Sequence, residues 1–546
     1  MLDRLLDVEK MGVRIRDVDD DFKGADFRDE ETKLMFAYDY NSRHVVRVYG
    51  WNMKPCLYKE MKRLGVKVID RVMVTSLLNE GGQQGSGIVG ATGINVRTGE
   101  FYVFKAKATI VATSSPGRLW MFIPELSGSK VMTELNDCGD GVAIGWRAGA
   151  EFTLMEQVRG VGNMDAYIPY GVGNSSNTYH GTPIVDSRGN EVPWSNKDGE
   201  RLKTVRDRFL PAASQKFMLG VGIGLYGNRN DYLNQLAPDL PQRISQGEFT
   251  LPLYADLTLL PELERKAIFG MMVGNEGKTR IPVYDTLTKA GFDPDQDMLQ
   301  VPVMEPQHYF NSNFWTGRVV PYILSTAGGG YLVDWDLRTS LDGLYAAGGS
   351  MFGSGAHASA AVSGRYTGRK AAAYAKSMDV RAIDRKQVEA EKSRVYLPLK
   401  QKRNGIGWKE LNAGVARVMQ DNCGQYKNAE TLRRGLDLLK EIRESEAAGA
   451  WAATPHELGR LLECHSIITC GEVVMSASLA RKASSAILAF KRFDYPDIDP
   501  PEWRKLIAVR LMHGEATVRD VPLDYYLKPP YAPSFEENYR QHCGLD

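Results

Sequence analysis

Cysteine is scarce and unpatterned. The chain of 546 residues has six cysteines (Cys56, Cys138, Cys423, Cys464, Cys470 and Cys543), with no C-x-x-C pair. That excludes a dense disulfide framework and argues against a structural zinc site, so no metal ligand set is expected and a reducing cytoplasm is the default compartment. No run of about 18 apolar residues is present, so no transmembrane segment is expected. The opening MLDRLLDVEKMGVRIRD lacks the apolar core of a signal peptide. Charge of one sign is also missing. The formal net charge is +1, which gives no reason to expect nucleic acid or an anionic membrane as partner and leaves a small molecule. There is no internal repeat and no low-complexity segment.

What is present is the composition of a globular protein, 43% hydrophobic and 25% charged. The length calls for roughly two to four domains. An amphipathic helix is read around Asn52–Leu64, closed by Gly65, with a short strand at Val66–Ile69. Ile88–Val96 and Phe101–Phe104 read as hairpin strands about the turn Arg97-Thr98-Gly99, and Ala108–Thr113 as an apolar strand of the buried parallel kind. Residues 151–320 change to short strands and long loops rich in Gly, Asn, Pro and Tyr. From about 385 the chain is helical. Leu432, Leu436, Leu439 and Ile442 keep helix spacing, as do Leu458, Leu461, Leu462, His465 and Ile468. The last fifty residues, with Pro496, Pro500 and Pro501 near their start, read as an extended tail laid over a surface.

Four separated stretches carry chemistry. Lys105–Trp120 (KAKATIVATSSPGRLW) is a strand running into a small-residue turn. Cys138–Met155 (CGDGVAIGWRAGAEFTLM) opens with an acid at a helix start. In Ser325–Ser350 the run LDGLYAAGGS leaves a short strand for small residues only, and Met351–Lys370 (MFGSGAHASAAVSGRYTGRK) follows at once. A backbone that approaches a planar cofactor needs small residues, because a Cβ would hold it away. Together the four resemble the fumarate reductase/succinate dehydrogenase flavoprotein superfamily, of the FAD-dependent oxidoreductase 2 type. Gly355-Ala356-His357-Ala358-Ser359 is most similar to the wording of its adenylylsulfate-reductase-like branch. Ser114 and Ser115 stand where the family has two glycines, and serine takes positive φ only at a cost.

The resemblance implies an α/β fold: a two-dinucleotide-binding, Rossmann-like FAD domain, with an inserted α+β capping domain and a C-terminal helical domain. The implied division is 1–154 and 321–384 for the FAD domain, 155–320 for the cap, and 385–546 for the helical domain with its tail. The family opens with G-x-G-x-x-G and an acid about 20 residues on. The opening of this chain carries neither, so the FAD domain reads as N-terminally incomplete and FAD as weakly held. The resemblance further implies FAD contacts at Ala112, Thr113, Ser114, Asp140, Gly141, Gly348, Gly349, Ser350 and Ser359, and catalytic roles for His357, Arg280 and His308. The implied activity is two-electron oxidation or reduction of a small anionic substrate, with electrons from an iron–sulfur partner, since the chain has no cluster-ligand cysteine pattern. The alternative is a non-catalytic or incomplete homologue that lacks the pyrophosphate-binding segment.

Single residues leave choices open. Asp140 also reads as a plain helix cap, His308 as a buried structural histidine, and Arg280 as a surface arginine. His465, on an apolar helix face, reads as core. One of Arg365 and Arg369 is expected to point inward, and Trp315 and Trp335 wall a pocket or fill a core.

Overall fold

The computed structural model describes residues 2–13, 53–116, 118–120, 137–157, 159–160, 183–195, 199–203, 235–236, 240–251, 253–259, 291, 293, 296–301, 324–325, 328–353, 356–401, 405–424, 426–488 and 490–543. Helix α1 (Leu2–Lys10) comes first, then α2 (Met53–Arg63). Gly65, at φ 70°, ends α2 as expected: its N–H bonds to Lys62 O and that of Val66 to Met61 O, a Schellman closure.

The strand expected at Val66–Ile69 is not there. Those residues are irregular, and Val66 is 48% exposed. The strand is β1 (Val72–Asn79), antiparallel to β2 (Ile88–Asn95), which in turn pairs with β3 (Phe101–Lys105). A strand needs a paired edge and a face to bury. Val72–Asn79 has both, burying Thr75, Leu77 and Leu78, whereas the earlier apolar run has neither. The β2–β3 turn forms as read. Gly99 takes φ 78°, and Asn95 Oδ1 accepts from the N–H groups of Arg97 and Thr98.

Strand β4 (Thr109–Val111) leads into helix α3 (Asp140–Ala148), which starts and ends on left-handed glycines, Gly139 and Gly149. The chain passes through β5 (Phe152–Thr153) and β6 (Arg159–Gly160), then through β7 (Ile184–Val185), β8 (Glu191–Val192), β9 (Leu253–Ala255) and β10 (Leu299–Val301). These last four make a sheet of their own, in the order β10-β9-β7-β8. The chain returns through β11 (Leu324–Ser325), antiparallel to β6, and β12 (Gly330–Tyr331), antiparallel to β5. Strand β13 (Leu344–Ala346) then lies parallel to β4, pairing Thr109 with Leu344 and Val111 with Ala346. Residues far apart in the chain therefore share one sheet, with everything from β5 to β12 returned between them. The burial expected for β4 is only half met: Val111 is buried, but Ile110 is 42% exposed, because among the described residues β4 pairs on one side alone.

The rest is helical as read: α4 (Ala356–Ser377), α5 (Arg385–Lys400), α6 (Trp408–Asn422), α7 (Ala429–Glu444) and α8 (Pro455–Ala480). Asp384, Asn428 and Thr454 cap α5, α7 and α8 by accepting backbone N–H bonds. Helix α8 is buried along most of its length, and its Leu461, Ile467 and Val474 join Trp146, Phe152, Tyr331 and Leu344 in one continuous core.

The tail is a correction. In place of an extended strip, β14 (Lys505–Met512) and β15 (Glu515–Pro522) form a hairpin about His513-Gly514, both at positive φ. Strand β14 also pairs with β5, giving the sheet order β12-β5-β14-β15. Helix α9 (Phe535–Cys543) follows. Pro496, Pro500 and Pro501, which suggest an extended path, all precede Lys505; in the strand that follows, Ile507 and Val509 are buried in the main core on one face and Ala508 against Leu332 and Val521 on the other. No helix among the described residues is long and apolar enough to cross a membrane.

Candidate functional site

Two turns leave the parallel pair β4–β13 at the same end. After β4 come Ala112, Thr113 and Ser114, all exposed. After β13 comes the 3-10 turn Gly348–Ser350. Ser114 adopts φ 62°, so it does take the left-handed conformation that the family's glycine would supply, at a cost of about 1 kcal/mol. Gly348 takes φ 57°. Gly349 is exposed, and a Cβ there would come within 3.2 Å of Ser114 Cα. At Gly349 the two turns thus approach closely enough that a side chain there would crowd Ser114.

Ser350 locks them together. It is 1% exposed, and its Oγ accepts from Thr113 N at 2.8 Å, sits 3.4 Å from Thr113 Oγ1 and reaches Ser114 O at 3.4 Å. A second lock comes from α4. Ser363 Oγ accepts from Gly348 N at 2.9 Å and donates to Ser359 O at 2.6 Å, and Thr367 Oγ1 donates to Ala346 O at 3.4 Å. The motifs alone do not single out Ser363 and Thr367, although Ser359, Ser363 and Thr367 fall at i, i+4 and i+8, one face of a helix.

Asp140 and Gly141 lie behind the first turn. A Cβ on Gly141 would overlap Thr113 Oγ1 at 1.9 Å, so the close approach of α3 requires glycine. The Tyr331 hydroxyl donates to Gly141 O. The Asp140 carboxyl is buried against Ser466 of α8, and Oδ1 has no hydrogen-bond partner. Burial pushes its pKa up to about 6, against the opposing bond from Ser466. One carboxyl oxygen of Asp140 thus bonds Ser466 of the helical segment, while Oδ1 is left without a partner.

His357 falls in the first turn of α4, two residues after the glycine-rich run, in a helix whose first turn holds no acidic residue. Its side chain, together with Arg280, His308 and Trp315, lies outside the described residues. Arg365 pairs with Asp7 of α1 at 2.8 Å, away from the two turns. Trp335 packs in an aromatic cluster with Tyr526, Phe535 and His542 of the C-terminal segment, which answers the pocket-or-core choice in favour of packing. His465 is set among Arg394, Arg443 and Arg147, and burial with these three charges holds its pKa down at about 3.

A planar, anionic dinucleotide fits these residues. The exposed surface at 112–114 and 349 is backbone and small side chains, left-handed where a Cβ-bearing chain would ordinarily stand off, with the start of a long helix anchored beside it. Fold and turns together define a flavin-dependent oxidoreductase. Residues 3–365 match the FAD binding domain family and residues 412–535 the fumarate reductase flavoprotein C-term family, and the chain belongs to the FAD binding domain family. Its cofactor is FAD, and it is an FAD-dependent oxidoreductase.

Relatives agree. The chain is 24% identical over 530 residues to one chain of the fumarate reductase (CoM/CoB) of Methanothermobacter marburgensis, covering 92% of this chain and 81% of the relative. It is 25% identical over 429 residues to a fumarate reductase flavoprotein of Serratia, covering 72% and 59%. Its fold is similar to that of adenylylsulfate reductase from Archaeoglobus fulgidus, with a TM-score of 0.60 at 18% identity over 86% of this chain and 75% of that one. It is equally similar to a quinol fumarate reductase chain of E. coli, with a TM-score of 0.60 at 17% identity over 97% and 83%.

Proposed function

We propose that this chain carries out two-electron reduction of a small anionic substrate of the fumarate class. The observation that carries the reading is the start of α4 beside the Ser350-locked turns. A helix N-terminus presents unpaired N–H groups and a partial positive charge, which favour an anionic substrate and the negative charge that develops during its reduction. FAD, when bound, supplies the hydride chemistry.

In this reading His357, in the first helical turn, donates a hydrogen bond or a proton to the substrate. Arg280 grips a substrate carboxylate with its planar fork, and His308 assists in orienting it. The buried hydroxyls of Ser350 and Ser363 fix the turns on which the reacting surface is built. Residues 155–320 serve as a cap that excludes water, closing over the FAD domain of 1–154 and 321–384, with 385–546 packed behind. The side-by-side passage of β5–β6 against β12–β11 supports a cap entered and left through one stem. Electrons arrive from an iron–sulfur partner protein.

The experiment is turnover with a reduced viologen dye as donor, in FAD-saturated protein, offering fumarate and, separately, adenylylsulfate. Dye oxidation dependent on fumarate supports the reading. Oxidation dependent only on adenylylsulfate replaces the substrate class, and inactivity toward both with FAD bound overturns it.

A further inference from the structure

A buried ion pair stands where the chain leaves the FAD-binding segment after β5. Leu154, the next residue, takes φ 57°, a left-handed conformation that a residue with a Cβ adopts only at a cost. The bend is closed by Gln157 N, which donates to Leu154 O at 3.0 Å. Glu156 lies within it, 0% exposed, and its Oε1 accepts from Arg481 Nε at 2.7 Å. Arg481 is 2% exposed and forms the C-cap of α8, 325 residues further along the chain. Its two Nη atoms donate to Trp503 O at 3.4 Å and to Lys505 O at 3.1 Å, at the entry to β14. Glu156 Oε2 has no hydrogen-bond partner. Burial pushes the Glu156 carboxyl above the usual carboxylate range, and the Arg481 guanidinium opposes the rise.

The returning chain is wedged against the same bend. A Cβ on Gly328 would meet Gln157 Oε1 at 2.3 Å, one on Gly329 would meet Leu154 O at 2.7 Å, and one on Gly330 would meet Ser350 O at 2.4 Å. Three consecutive glycines therefore press on the bend at one side and on the Gly348–Ser350 turn at the other. Beyond that turn, Gly353 N donates to Gly328 O at 2.9 Å and Phe352 N to Tyr331 O at 3.2 Å. An unbroken line of close contact thus runs from the bend that holds Glu156, through Gly328–Gly330, to Ser350.

We propose that Glu156, gripped by Arg481, is a positioning residue for the reacting surface. A fully buried ion pair contributes little net stability, because the cost of desolvating both charges offsets their attraction. What it enforces is one geometry between the two elements that carry it. Here those elements are the bend after β5 and the C-terminus of α8. The pair sets the depth of the bend, and the glycines beside it pass that setting to the turn. A displacement of about 1 Å at a reacting surface is enough to cost about a hundredfold in rate. The assignment rests on the reading above, in which the reaction takes place at the Gly348–Ser350 turn.

The test is hydrogen exchange of FAD-saturated protein, read by mass spectrometry in peptides spanning 328–331 and 348–353, with strands β2 and β3 as the internal reference. Glu156→Gln keeps the size of the side chain and an acceptor for Arg481 but removes the charge. It should speed exchange in both peptides by roughly tenfold or more and leave β2 and β3 at the wild-type rate. The visible circular dichroism of the bound FAD should change in parallel, and kcat with fumarate should fall by roughly tenfold or more. Wild-type protein that does not turn over fumarate counts against the proposed function alone, because exchange and dichroism need no substrate. Should Glu156→Gln fail to fold, Arg481→Lys, which keeps the charge and loses the planar fork, is read in the same way. Faster exchange confined to 154–157, equal acceleration in β2 and β3, or an unchanged rate at 348–353 overturns the proposal.

Discussion

Ser350 Oγ lies 2.8 Å from the backbone nitrogen of Thr113, across 237 residues of chain, and this bond joins the two turns that flank the β4–β13 pair. Because Ser350 is buried, removing its hydroxyl leaves the Thr113 N–H without an acceptor, a loss of about 1–3 kcal/mol. Ser350→Ala should weaken FAD binding by roughly tenfold or more, while Ser350→Thr, if accommodated, retains the acceptor. Fluorescence titration with FAD measures this, and an unchanged dissociation constant for Ser350→Ala would show that the bond does not support the cofactor surface.

Gly141 offers a test in which two effects have opposite signs. Alanine is favoured over glycine inside a helix by about 1 kcal/mol. Here a Cβ would fall 1.9 Å from Thr113 Oγ1 and 2.9 Å from Val111 Cγ1, so α3 would have to move away from the β4 turn. Overpacking of this kind costs about 1–3 kcal/mol or more and outweighs the propensity gain. Gly141→Ala should unfold at lower urea concentration than wild type. Equal or greater stability would mean that the helix shifts without consequence.

How much of this is legible in the sequence depends on what sets each feature. Small residues after β4 and β13 are readable because backbone contact leaves no other choice, and Ser114 holds the left-handed geometry even without glycine. Helices α7 and α8 are readable from their apolar spacing. Strand β1 is misplaced by sequence reasoning because a strand is defined by its partner: only the pairing with β2 separates Val72–Asn79 from the apolar Val66–Ile69. The β14–β15 hairpin is hidden for the same reason, its partner β5 lying far earlier in the chain. The motif around Asp140 suggests a cofactor contact; its hydrogen bond with Ser466 depends in addition on α8, which no local pattern announces.

Two buried groups should give stability opposite dependences on pH. The folded pKa of Asp140 is raised to about 6, so its carboxyl contributes fully below the usual carboxylate range and loses that contribution as pH rises to about 6. The folded pKa of His465 is lowered to about 3, so its contribution is full above the usual histidine range and is lost as pH falls below about 6.5. Relative to wild type, Asp140→Asn should therefore be more favourable at about pH 7 than at about pH 4.5, and His465→Gln the reverse, each by on the order of 1–3 kcal/mol. Urea unfolding at the two pH values measures both differences. A pH-independent difference for either variant would remove that group from the account.

The proposed chemistry stands or falls on the start of α4, where His357 in the first turn is to act on a small anionic substrate. Steady-state turnover of His357→Ala in FAD-saturated protein, alongside its flavin content, tests this without an intermediate step. The expected outcome is a kcat lowered by roughly a hundredfold or more, the scale of a positioned acid–base group, with FAD content unchanged. Full activity in His357→Ala would contradict it.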